Sequence, residues 1–403
     1  MLDVEPAALN AALKFRSLKR TTFDAIALWR EAHPFDSPAH PQYSRRVIRL
    51  PLILAATLGL ARTFAQEPQL NPPVAEPPPP PVAQPTGRSL VAIAQDPRAM
   101  DGFDENPAIT RRMLDSVVRG ATGCSDTRVA WRELAGTDTR VGIKVTAAGG
   151  PYFSTRRGVV AAAIAGLREA GVREIIVWDK SSAALRESGF TAQRLGCEVR
   201  GIDPPHGWDR EASFQTPVLG KLIWGDLLFS EKVSPRGLTQ ADESLLSSRS
   251  HLATILSRDV PRFINIAALS DDQGCGVAGA LHSAVVGNLD NWRRFTNSGE
   301  GGASAIAECY ADVRLGGKCV LHILDALAFT YAGGPGPNPQ NSTIHNTLYA
   351  SRDPVALDAL GLQLLEKWRE RAGFGPIGTK AAWLRGTNIG NFDQHMMIFS
   401  TAR

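Results

Sequence analysis

The sequence predicts an α/β fold: a parallel or mixed sheet flanked by helices and built from βαβ units, in one large domain or two packed subdomains. Three observations carry this reading. Short apolar runs alternate with helical patterns between residues 141 and 202. The same alternation resumes after residue 263. No G-x-G-x-x-G follows the first of these strands, so the pattern is not that of a dinucleotide-binding domain.

Val141–Val145 reads as a strand. Thr155–Ala170 places Val159, Val160, Ala163, Ile164 and Leu167 at helical spacing and stops at Gly171. Glu174–Trp178 is a second strand, Ser181–Leu195 a helix opening on serine caps, and Glu198–Ile202 a third strand. Strand-helix-strand-helix-strand with short connections makes a right-handed parallel unit. Ligands of such sheets gather beyond the carboxyl ends of the strands, which here carry Lys144, Thr146, Asp179 and Lys180. Further on, Phe263–Leu269 is a buried strand, Gly276–Val286 and Ala303–Val313 are helices, and Cys319–Leu324 is a strand ending at Asp325. Asp353–Arg371 is a long helix with Asp353 as its N-cap and Pro354 at the first helical position. The glycine-rich run Ala332–Asn338 is a loop whose amides form either an anion nest or a plain surface turn.

Ahead of this domain lie a leader and a tether. Ser44-Arg45-Arg46-Val47-Ile48-Arg49-Leu50 precedes the apolar run Pro51–Ala61, the pattern read by the twin-arginine export machinery. The run is shorter than the ~20 residues that span a bilayer, so no stable membrane span is expected in the mature form. Thr63-Phe64-Ala65 offers a cleavage site. The competing reading is a buried helix with basic residues at its start. The arginines lie about forty residues into the chain, and no methionine falls between Met1 and Met100, so either the basic lead is long or translation starts later at another codon. EPQLNPPVAEPPPPPVAQP then favours extended polyproline structure. The expected organisation is a leader over 1–65, a Pro-rich linker over 66–90 and the α/β domain over 91–403, with a periplasmic or secreted location.

The formal charge of +4 sits partly in the leader, leaving the rest near neutral. That excludes a nucleic-acid-binding stripe. The five cysteines contain no C-x-x-C, so no iron–sulfur cluster or zinc ribbon is expected within the chain. An oxidising compartment permits a disulfide, and the odd count leaves at least one thiol free.

Several segments together resemble the uncharacterised family catalogued as domain of unknown function 362. They are Val141-Gly142-Ile143-Lys144, Glu174–Asp179, Phe263-Ile264-Asn265-Ile266, Gly276-Val277-Ala278-Gly279-Ala280-Leu281 and Asp353-Pro354-Val355-Ala356-Leu357-Asp358. The Gly-Val-x-Gly-Ala-Leu and Asp-Pro-Val-Ala-x-Asp elements are the specific ones. The resemblance runs from about Val141 to Asp358 and implies an α/β fold, often exported. Some relatives carry ferredoxin-like segments, which this chain lacks. Family members place a lysine and a histidine after the Ile-Asn-Ile strand, where this chain has Ser270 and Asp272. Their Lys-Asn after Gly-Ala-Leu is His282-Ser283 here. An anion-handling role of those lysines would be lost.

Asp271, Asp272 and His282 are the leading candidates. Two carboxylates and an imidazole suit a divalent metal such as zinc, manganese or iron, and equally suit general acid–base work. The competing reading makes one aspartate a helix cap and His282 a core hydrogen-bonder. Asp325 is a further candidate at a strand end, with Lys144 and Asp179 secondary. His322, inside an apolar strand, reads as a core histidine, and Asp353 as structural. Asp358 is left open. No Ser-His-Asp order, G-x-S-x-G or H-E-x-x-H marks a hydrolase. Two functions follow: an exported, metal-assisted enzyme acting on a small molecule at the strand carboxyl ends, or a non-catalytic binding or accessory protein that kept the fold and lost the family's polar residues.

Overall fold

In chain order the first strands are β1 (Ala92–Gln95), β2 (Met100–Asp101), β3 (Asp104–Glu105), β4 (Arg140–Val145), β5 (Glu174–Asp179) and β6 (Glu198–Gly201). There follow β7 (Trp208–Lys221), β8 (Leu246–Ala253), β9 (Phe263–Asp272) and β10 (Gly276–Ala278). The last are β11 (Cys319–Thr330), β12 (Ser342–Ser351) and β13 (Met397–Ser400). The computed structural model describes residues 89–203, 207–221, 227, 246–296, 299–377 and 397–400. All of them belong to the second of the chain's two units, Pro79–Arg403. The leader and the linker up to residue 88 lie outside the described residues.

The centre of the main sheet is parallel, in the order β6-β5-β4-β9-β11. The chain starts at β4, winds outward through β5 and β6, then returns to the other side of β4 with β9. The strand order therefore reverses between β4 and β9, the switch point where doubly wound sheets open a crevice at their carboxyl edge. Beyond β11 the sheet continues with antiparallel β12, then β1 and β13. β10 folds back on β9, while β7–β8 and β2–β3 form separate two-stranded ribbons. Strands from both halves of the domain thus share one sheet.

Both faces of the centre are covered, which explains the continuous apolar runs. Val141, Ile143, Val145, Ile264 and Ile266 pack with Val159, Val160 and Leu167 of the helix Arg157–Glu169. On the opposite face Trp178, Phe263, Ala267 and Leu324 pack with Leu281 and Leu357. Gly142 is small of necessity, because a Cβ there would lie 2.4 Å from the Trp178 ring.

Four sequence expectations need correction. Ser181–Leu195 is two short helices, Ser182–Glu187 and Ala192–Leu195, parted at Gly189, whose φ of 81° ends the first. Gly276–Val286 is not one helix: Gly276–Ala278 pairs with Ser270–Asp272 as a hairpin, and the helix begins at Ala280. The helix expected over Ala303–Val313 runs over Gly299–Tyr310. β9 reaches Asp272 and β11 reaches Thr330, so Asp271, Asp272 and Asp325 are strand residues rather than residues beyond strand ends. The helix Pro354–Arg371 is as expected, with Asp353 accepting from Val355 N at 2.9 Å. Among the described residues no helix is long and apolar enough to cross a membrane.

Candidate functional site

Two helices begin at the carboxyl edge on either side of the switch point, and the unpaired amides of such helix starts attract anions. Both starts are filled by the chain's own carboxylates. Arg156 N donates to Asp325 Oδ2 at 2.7 Å and Gly158 N to Glu105 Oε2 at 2.8 Å. Across the sheet, Ala280 N and Leu281 N donate to Asp358, the latter at 2.9 Å. These carboxylates leave little room or charge for a phosphate, in keeping with the missing G-x-G-x-x-G. The glycine-rich loop does form an anion nest, and its anion is Asp271, which accepts from Gly333 N (2.9 Å) and Gly334 N (2.6 Å) and lies 3.5 Å from Arg369. Burial raises the Asp271 pKa, against the pull of those two amides.

The contact with Asp358 joins the two specific sequence elements physically. A Cβ on Gly279 would lie 2.2 Å from Asp358 Oδ1, so the glycine makes room for the carboxylate that caps the next two amides. Neither Asp271 nor Asp272 caps this helix, whose start is taken by Asp358.

That helix carries His282 toward the β9–β10 turn. Asp272, Cys275 and His282 offer three ligand atoms within 4.8 Å of one another. Cys275 Sγ lies 3.2 Å from Asp272 Oδ1, and His282 Nε2 lies 3.8 Å from Asp272 Oδ2. Tetrahedral zinc with ~2.0–2.3 Å bonds sets its ligand atoms roughly 3.3–3.8 Å apart, so the trio is close to a coordination geometry. His282 Nε2 is buried and has no hydrogen-bond partner. Burial lowers the His282 pKa, with Lys180 and Lys144 adding to the effect and Asp272 opposing it. The lowered pKa favours the neutral imidazole, the form that binds metal. Burial and the neighbouring Asp272 hold the Cys275 thiol well above its ordinary pKa, which leaves it a poor nucleophile unless a cation stabilises the thiolate. The sequence reading grouped Asp271 with Asp272 and His282. In the structure Asp271 turns to the glycine loop and Cys275 takes its place. The only sequence signal for Cys275 was its position three residues after Asp272.

The other candidates are engaged elsewhere. Lys144 Nζ donates to Asp179 Oδ1 and Val145 O, both at 2.7 Å, while Asp179 Oδ2 accepts from Ala147 N. The two residues satisfy each other and tie the ends of β4 and β5 together. Asp325 lies beside the helix Arg157–Glu169 rather than with His282, and it accepts from Arg156 N and Leu327 N. Complete burial pushes its pKa up to about 6, against the opposing pull of Arg156. His322 is a satisfied core histidine, bonded to Asn265 (3.1 Å) and Tyr310 (2.6 Å) and lowered to about 3 by burial. Next to the trio a cavity of about 340 Å³ is lined by Asp271, Asp272, Gln273, Asn341, Arg369 and Phe374.

Fold and site define a doubly wound α/β domain with an Asp-Cys-His cluster at its carboxyl edge. Residues 241–363 match the family model described as Domain of unknown function (DUF362), so the resemblance holds over this stretch. The match leaves out β4–β6, which the sequence reading had included. No functionally curated protein matches the sequence. Among solved structures, a structural-genomics protein from Thermotoga maritima is similar at 12% identity and TM-score 0.36, over 68% of this chain and 60% of its own. The lactate racemase apoprotein from Thermoanaerobacterium thermosaccharolyticum is similar at 6% identity and TM-score 0.38, over 68% and 57%. This chain thus spans less than two thirds of either protein.

Proposed function

We propose that this protein is an exported enzyme in which Asp272, Cys275 and His282 hold one divalent ion, zinc by the chemistry of the ligands. The observation that carries this is the buried, unpartnered His282 Nε2 aimed at a carboxylate and a thiol. A thiolate, an imidazole and a carboxylate leave the fourth position open, as in catalytic rather than structural zinc sites. The ion would supply a Lewis acid or an activated water. The chain's own residues would bind a small molecule in the adjoining cavity, with Arg369, Gln273 and Asn341 offering polar contacts.

Metal analysis of the purified protein tests this. About one zinc per chain is expected, falling below one-tenth in His282→Ala and Cys275→Ser. The metal-stripped His282→Ala variant should lose no more than ~1–2 kcal/mol of stability, the range for a substitution outside the core. The second reading, a metal-free binding or accessory protein, is favoured by Asp272 Oδ1. That atom already accepts from Gly274 N, Cys275 N and Cys275 Sγ, which closes the β9–β10 turn unaided. A protein that purifies without metal and is not stabilised by added zinc would establish that reading.

Export rests on the paired arginines and the short apolar run that follows them. Arg45→Lys combined with Arg46→Lys keeps the charge, yet should abolish export, because the receptor reads the arginines themselves. Undiminished periplasmic yield of the double variant would point to a different route.

A further inference from the structure

We propose that the cavity beside the Asp-Cys-His cluster takes small organic acids, with the Arg369 guanidinium as the anchor for their carboxylate. The proposal rests on the reading of that cavity as the ligand pocket and not on the metal. At about 340 Å³ the cavity stands at the small end of ligand pockets, which run from ~300 to 1,000 Å³. Its wall has an apolar side, with Phe374 and Ile377, and a polar side. The polar side carries Asp271, Asp272 and Arg369 as charged groups and Gln273 and Asn341 as amides.

The three charged groups are not equally free. Asp272 turns Oδ1 to the Gly274 and Cys275 amides and stands with Oδ2 3.8 Å from His282 Nε2. Asp271 turns its two oxygens to the Gly333 and Gly334 amides. Both carboxylates are thus engaged by the chain itself. Arg369 lies in the last turn of the helix Pro354–Arg371, with its side chain 17% exposed. Its Nε donates to Gly375 O and its Nη1 to Tyr331 O, both at 3.0 Å. These two bonds fix the guanidinium and leave Nη2 without a hydrogen-bond partner among the described residues. Asp271 Oδ2 stands 3.5 Å from Nη1, beyond the ~2.7–2.9 Å of a charge-assisted hydrogen bond, so it does not lock the cation. Burial, the leading influence on Asp271, also favours its neutral form. The side-chain amides of Gln273 and Asn341 have no hydrogen-bond partner among the described residues either, and each brings an NH₂ donor.

A braced cation with free N–H groups, flanked by two amide donors and set against an apolar wall, suits an anionic head on an apolar body. A carboxylate would accept from Nη2 and from the amides, and its body would lie against Phe374 and Ile377. A doubly charged phosphate would meet stronger repulsion from Asp271 and Asp272, which favours a single negative charge.

The test titrates the full chain, zinc-loaded and EDTA-treated, with acetate, butyrate and benzoate, each against its neutral amide, and reads binding by ligand-observed NMR. In both preparations at least one acid should bind ~10-fold or more tightly than its amide, the scale of one hydrogen bond to a charged group. Arg369→Gln, verified as folded by circular dichroism, should remove that preference. Arg369 also braces Tyr331 and Gly375, so the acid–amide comparison on the wild type decides the matter by itself if the variant does not fold. Equal binding of every acid and its amide would overturn the proposal, as would a preference unchanged in Arg369→Gln or tighter binding of glucose than of any acid. A preference that needs zinc and survives Arg369→Gln would place the carboxylate on the metal, overturning this proposal and supporting the metal reading. A preference that persists in EDTA and depends on Arg369 upholds the proposal whether or not the protein carries zinc.

Discussion

Replacing Asp358 with Ala should destabilise the protein by about 3 kcal/mol or more, since two buried amides lose their acceptor at ~1–3 kcal/mol each. The carboxylate is fully buried and accepts from Ala280 N and Leu281 N, so its removal leaves both amides without their acceptor. Asp358→Asn keeps one acceptor oxygen and should cost less. The two variants also make a pH test. Burial pushes the Asp358 pKa up to about 7, against the pull of the two amides. The folded protein then keeps this proton up to about pH 7, whereas the unfolded chain releases it near pH 4. Between those limits the folded state binds more protons, so stability falls as pH rises, by about 1.4 kcal/mol per pH unit for one group. Denaturant midpoints of wild type and Asp358→Asn, compared from pH 4 to 7, should diverge with that sign. A constant difference would mean that the carboxyl ionises at its ordinary value, with the two amides fully offsetting the effect of burial.

Asp358 also shows how far the sequence could be read. Its placement on a helix was clear from the Asp353-Pro354 start, yet its partner lies on another element, 77 positions away for Leu281. Periodicity reports the face of an element and not what meets that face. The βαβ block over β4–β6 was legible because each strand is a compact apolar run buried on both faces. β12 was missed because its first half, Ser342–Asn346, is polar and only partly buried. β11 was cut short at Asp325 because a charge inside an apolar strand reads as an end. The fold instead covers that carboxyl with the Arg156 and Leu327 amides. At the site the sequence grouped Asp271 and Asp272 with His282, and the structure places Asp272 3.8 Å from His282 Nε2. The sequence reading misplaced Asp271, since the Gly333 and Gly334 amides that hold it are remote in sequence, and it gave Cys275 no role, since a lone cysteine carries no periodic signal.

Asp179→Ala should cost about 3–5 kcal/mol, the penalty for stranding one member of a buried ion pair. Lys144 is 1% exposed and, among the described residues, its Nζ donates only to Asp179 Oδ1 and the carbonyl of Val145, with Gly287 packed so closely that a Cβ there would lie 2.6 Å from Nζ. Without the carboxylate the ammonium keeps only the Val145 carbonyl as an acceptor among the described residues. Asp179 also holds the Ala147 amide at 2.7 Å, so its loss loosens the turn after β4 as well. The double variant Lys144→Met with Asp179→Asn removes both charges, keeps an acceptor for Ala147 and should recover at least half of the lost stability. That recovery separates an ion pair that ties two strand ends from a pair of catalytic groups. In the catalytic case the double variant would be as inactive as either single one while its stability gain had no bearing on turnover. Urea denaturation of the wild type, both single variants and the double variant yields the coupling free energy directly. A double variant no more stable than Asp179→Ala would show that the two charges act independently, and the latch between β4 and β5 would have to be sought in the Ala147 hydrogen bond alone.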